Sequence, residues 1–207
     1  AWDLYHLLDG QPLYSLLKLP TTFESIDQYL DILEPLLLEE CRAQTLRSVQ
    51  EMEPVSHKLA LLSAETREPF RMLSFEPVVL TDSDAKPPFH DSDLVFVSYE
   101  PLDIDAFDEE DKRITQDFHA LALVSGQVSD ALNLKLYVPL ERTPRLPPTQ
   151  FKRLSMLRKV MVPSAGSFYV QKLSNMITIN REFQALYSAR DLMLCNTLLA
   201  PGAPPTT

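Results

Sequence analysis

The stretch "LNLKLYVPL" (132–140) decides the fold. Leu132, Leu134, Leu136 and Val138 fall on one side of an extended chain, and Asn133, Lys135 and Tyr137 on the other. Strict period-two alternation over seven residues is the pattern of a strand with one face in a core and one face in water. Runs of similar length lie around it: "HKLALLS" (57–63), "RMLSFEPVVL" (71–80), "SDLVFVSY" (92–99), "FHALALVSGQV" (118–128) and "GSFYVQKL" (166–173). Six short β-compatible runs with no long helix between them predict a small antiparallel barrel and not a parallel sheet.

Two stretches interrupt the series. "PLDIDAFDEEDKRITQD" (101–117) is an acidic run and reads as a solvated loop. "PLERTPRLPPTQ" (139–150) contains four prolines and reads as an extended connection. Helical periodicity returns on both flanks. Residues 2–19 read as short helical turns ending at Pro20, and Thr21 with Glu24 three positions later fits a capping box for "FESIDQYLDIL". Pro35 should kink or restart this helix, because proline lacks a donor and clashes with the preceding turn. From Leu36 to Met52, the residues Leu38, Cys41, Thr45, Val49 and Met52 recur at three- and four-residue steps, and Pro54 stops the run. At the far end Met176, Ile179, Phe183, Leu186 and Tyr187 share one helical face, with Arg190 near its C-terminus, where a cation suits the helix dipole. The class is α+β: a small antiparallel barrel on a stem made by the two long helices.

A chain of 207 residues with 45% apolar residues buries a real core. No run of about 18 apolar residues occurs, so no helix here is expected to span a membrane. "AWDLYHLLDG" has neither a basic start nor a signal-peptide core, and without an opening Met it reads as the interior of a longer protein. Cys41 and Cys195 are too few for a disulfide framework or a zinc site, which fits buried thiols in a reducing compartment. The net charge of −10 is unevenly spread: residues 1–75 carry −6, 76–130 carry −11 and 131–190 carry +8. The acidic middle and basic end form either an internal charge match or a polyanion site beside a repelling flank.

The motifs of catalysis are missing from this sequence. None of Gly10, Gly126, Gly166 and Gly202 precedes Lys-Ser or Lys-Thr, so no phosphate-cradling loop is present, and the dinucleotide pattern is absent too. His6, His57, His90 and His119 stand singly, none at metal-ligand spacing. "FHDSD" (89–93) sets His90 beside Asp91, Ser92 and Asp93, an arrangement open to acid–base work but more typical of a turn. No catalytic residue, cofactor-binding residue or metal ligand is assigned. The candidate site is the basic tract "FKRLSMLRK" (151–159), with Lys152, Arg153, Arg158 and Lys159, followed by Arg181. Such cations neutralise nucleic-acid phosphates. The competing reading is a solvated face that balances the acidic run, since aromatic residues for base stacking are sparse there.

Three stretches in order, "TFESIDQYLDILEPLLLEECRAQ" (22–44), "HDSDLVFVSY" (90–99) and "LSNMITINREFQAL" (173–186), resemble the senataxin family of nuclear superfamily-1 RNA/DNA helicases. The resemblance is to the segment ahead of the ATPase core and covers nearly the whole chain. It implies residues 1–54 as helical brace and first stalk helix, and 55–172 as a β-barrel carrying the acidic insert. Residues 173–199 would be a returning stalk helix and the approach to the core, and 200–207 a Pro-rich linker. It implies no ATP site in this chain, with ATP and magnesium held by a helicase core in the same polypeptide. Further implications are a nuclear location, RNA or an RNA–DNA hybrid as partner, and a part in transcription termination. The resemblance leaves the acidic insert unmatched. A function of another class is a protein-interaction module that docks partners, with no membrane involved, through the acidic run or the Pro-rich connection.

Overall fold

The computed structural model describes residues 17–51, 55–78, 89–101, 119–128, 131–143, 146 and 148–191. The expected turns in 2–16, the acidic run beyond Pro101, and the stretches 192–199 and 200–207 lie outside the described residues.

The alternation that marks 132–138 is realised in that strand, whereas the strand around Val95–Ser98 is buried on both faces. Six antiparallel strands form the sheet: β1 (Ser56–Arg67), β2 (Phe70–Pro77), β3 (Asp93–Ser98), β4 (Ala120–Val128), β5 (Ala131–Tyr137) and β6 (Ser167–Asn175). Each pairs with two neighbours, in the order β1-β2-β5-β4-β3-β6, and β6 pairs again with β1, so the sheet closes on itself as a barrel. Closure leaves no unpaired edge for another chain to extend. Leu132, Leu134 and Leu136 of β5 point inward, as do Leu73 and Phe75 of β2, Val95 and Val97 of β3, Ala122 and Val124 of β4, and Phe168 and Val170 of β6, all buried in one cluster. Phe75 and Phe168 meet edge to face with ring centroids 5.9 Å apart. Small residues on β4, Ala120 and Ala122, and large ones on β2 and β6, Phe75 and Phe168, share the interior.

Among the described residues three helices complete the class as α+β. Helix α1 (Ile26–Glu51) is a single 26-residue helix that continues through Pro35. It does not restart there; only the one backbone donor that proline lacks is forgone. Its cap also differs from the expected Thr21 and Glu24. Ser25 Oγ accepts the backbone N–H of Gln28 at 3.1 Å, and the Gln28 side chain accepts the Glu24 N–H at 2.7 Å. The sequence Ser25-Ile26-Asp27-Gln28 therefore supplies the cap, four residues downstream of the expected Thr21. Cys41, Thr45 and Val49 are buried, as the spacing predicts, while Leu38 is only half-buried.

Helix α2 (Pro148–Val160) corrects the expectation of strands without a long helix between them. Pro148 stands at the first helical position, where its fixed φ and missing donor cost nothing. Leu154 and Leu157 of α2, with Leu146 before it and Met161 after it, are buried in the barrel cluster, so the helix plugs one end. Helix α3 (Ile177–Ser188) follows β6 directly and packs against α1, which also packs on β6. The pair is antiparallel. Arg190, just past α3, meets Asp27 in the first turn of α1 at 2.9 Å, while Thr45 near the other end of α1 lies 3.5 Å from Ser174 at the end of β6. No helix among the described residues is long and apolar enough to cross a membrane.

Candidate nucleic-acid interface

Placement on α2 divides four of the five candidate cations, and the fifth, Arg181, lies on α3. Arg153 and Arg158 lie half-buried, on the side of the helix that meets the barrel. Arg153 Nη1 donates to the carbonyl of His119 at 2.6 Å, and Arg158 Nη2 donates to the carbonyl of Val138. Arg71 of β2 does the same work from the strand side, donating to the carbonyl of Met161 at 3.0 Å. Burial beside Arg158 pushes the Arg71 guanidinium below its ordinary range, the loss of solvent being the larger cause. These guanidinium groups satisfy carbonyls at strand ends and at the end of α2 that would otherwise be short of donors. They are ties between plug and barrel. Lys152 and Lys159 are exposed on the outer side of α2, and Arg181 is exposed on α3. Those three remain as surface cations, on two different helices.

The residues of "FHDSD" form a joint. Asp93 is fully buried, and its Oδ2 takes the Lys172 ammonium at 2.9 Å and the His90 backbone N–H at 2.8 Å. Its Oδ1 accepts Asn175 Nδ2 at 2.7 Å, and Asn175 Oδ1 in turn accepts the backbone N–H of Ile177, the first residue of α3. Ser92 sits at φ +67°, donating its N–H to the Val124 carbonyl and accepting the Met176 N–H, each at 2.9 Å. One turn thus binds β3, β4, β6 and the start of α3. The His90 ring itself is exposed, with Nδ1 3.9 Å from the Asp93 carboxylate. That carboxylate is already saturated by Lys172, Asn175 and a main-chain donor, which suits anchoring and leaves it poorly placed to accept a substrate proton. Sequence reasoning found the turn and missed its partners, which lie about eighty residues further along the chain.

The rest of the described surface adds no second chemical cluster. No group of three His, Cys, Asp or Glu residues is arranged to hold a metal ion among the described residues. Cys41 is a free, buried thiol, pushed up to about 11 by loss of solvent, and so is protonated and unreactive near neutrality.

Over 120 residues, 56% of its length, the chain is 34% identical to a probable helicase of Dictyostelium discoideum. The chain spans only 12% of that protein. No family model matches it. The relationship reaches as far as similarity to a helicase, while the finer resemblance to the senataxin family is a reading of the motifs.

Proposed function

We propose that this chain is a non-catalytic accessory domain of an ATP-dependent 5′-to-3′ RNA/DNA helicase of the senataxin type. It holds its barrel over the nucleic-acid path and links it to a RecA-like core elsewhere in the polypeptide, which would hold ATP and magnesium. The carrying observation is the antiparallel stem: Asp27 and Arg190 are joined at 2.9 Å, so the chain enters and leaves the unit side by side. Adjacent entry and exit allow such a body to be carried as an arm on a larger domain. The similarity to a probable helicase supplies the kind of domain. The joint at Asp93 makes stem and barrel one body, so that movement of the stem is carried to the barrel. A nuclear location and a role in transcription termination belong to the same proposal.

The interface test uses the cations left on the surface. Single-stranded RNA binds the chain weakly, because a net charge of −10 repels phosphate. Replacing Lys152, Lys159 and Arg181 together with Gln lowers affinity equally for different sequences and reduces the slope of log K against log salt by about 2. Fluorescence anisotropy across a salt series reads both quantities, with a thermal melt as the fold control. An unchanged slope in the folded triple variant removes these residues from the interface.

A further inference from the structure

The outer face of the barrel carries an apolar strip where an antiparallel sheet in contact with water alternates to polar residues. On β5 the outward positions obey the rule, with Asn133 and Lys135. On β4 they are Leu121 and Leu123, both half-buried. Leu94 of β3, Leu123 of β4 and Lys135 of β5 lie in register as one row across three strands. Leu38 of α1 and Phe183 of α3 wall the strip, and Arg153 of α2 reaches its margin, enclosing a groove of about 460 Å³. Among the described residues the cations lining it are Lys135 and Arg153, the latter already donating to the His119 carbonyl, and no Asp or Glu lines it. The Lys135 ammonium lies 3.9 Å from the centre of the Phe70 ring, which holds the cation at the rim.

We infer that this groove docks a short amphipathic helix of a partner protein, with an apolar face and acidic flanks. The α3 wall runs from Met176 to Phe183, a length of about 10 Å, which matches two turns of a bound helix presenting apolar anchors at i, i+3, i+4 and i+7. Leucines on the floor take the anchors, and the cationic rim selects acidic flanks over basic ones. The inference is independent of the helicase proposal and stands or fails separately from it.

The probe is a fluorescein-labelled synthetic peptide of about four turns, with leucines at the i, i+3, i+4 and i+7 spacing and glutamates on the opposite face. It binds the parent chain at low salt. Lys135→Glu weakens binding at least about tenfold, and a matched peptide with lysines in place of the glutamates recovers affinity on that variant. Leu123→Asp abolishes binding of either peptide. Should a variant fail to fold, methyl NMR of the parent settles the location: added peptide shifts the Leu121, Leu123 and Leu38 methyls. Failure of the acidic peptide to bind, or equal binding of acidic and basic peptides, overturns the inference. So do shifts confined to other methyls, dimerisation of the chain through this face in light scattering, or binding of single-stranded RNA here in place of the peptide.

Discussion

Asp93→Ala lowers the unfolding free energy by about 3–5 kcal/mol, the cost expected when one member of a buried ion pair is removed and its partner stays behind. The carboxylate is fully shielded, whereas Lys172 keeps 32% of its side-chain surface in water, so the stranded ammonium has partial access to solvent. The larger loss is on the main chain and at Asn175. The His90 N–H loses its acceptor, and the Asn175 side chain, which caps Ile177, loses the group that orients it. Asp93→Asn retains the size and some of the hydrogen bonds and falls between Ala and the parent. Urea denaturation at neutral pH measures both. A loss below about 1 kcal/mol for Asp93→Ala is the value for an exposed pair and contradicts the joint.

The second large effect is on the stem. Ile179 is 2% exposed, on the face of α3 turned to the barrel and α1. Ile179→Asp places an unpaired charge there, and destabilises the chain by several kcal/mol, at or above about 4. Phe183, four residues on, lines the open groove and is only half-buried, so Phe183→Asp costs less. The same holds for Leu38→Asp on α1. Arg181→Asp, on the exposed side of α3, shifts stability by no more than about 0.5 kcal/mol. The order Ile179, then Phe183, then Arg181 is the signature of a helix seated on one face, and a flat response across the three positions contradicts that seating. Thermal and urea melts of the three variants give the ranking.

The strands were legible as short apolar runs rich in β-formers, and the period of two is kept cleanly only in β5. Leu132, Leu134 and Leu136 declare β5 in isolation, and all six short β-compatible runs overlap a strand. Helix α2 was not legible in the same way. Phe151, Leu154 and Leu157 do recur at three-residue steps, but the prolines before them suggested a connector and the four cations suggested a surface. Pro148 was in fact a start signal, and two of the cations are drawn in to main-chain carbonyls at the barrel end. A basic tract in sequence does not distinguish an arginine that seals a plug from a lysine that meets solvent, since both satisfy the same local pattern. The helix cap was misplaced for a smaller reason: Thr21 with Glu24 and Ser25 with Gln28 are equivalent patterns, and the structure uses the second. Asp93 was hidden by distance, because nothing near "FHDSD" points to Lys172 and Asn175. The apolar groove was half-visible, since "ALALV" has large apolar residues at the alternate positions where a solvated strand changes to polar ones.

On the proposed function, coupling between stem and barrel is tested most directly in a polypeptide that carries this chain together with a helicase core. Asp93→Asn is introduced there, at a temperature where melting shows the variant folded, and RNA-stimulated ATP hydrolysis and duplex unwinding are measured side by side. If the barrel is an arm driven through the Asp93 joint, hydrolysis stays within about twofold of the parent while unwinding falls at least about tenfold. Unwinding at the parental rate, with the joint loosened, contradicts it.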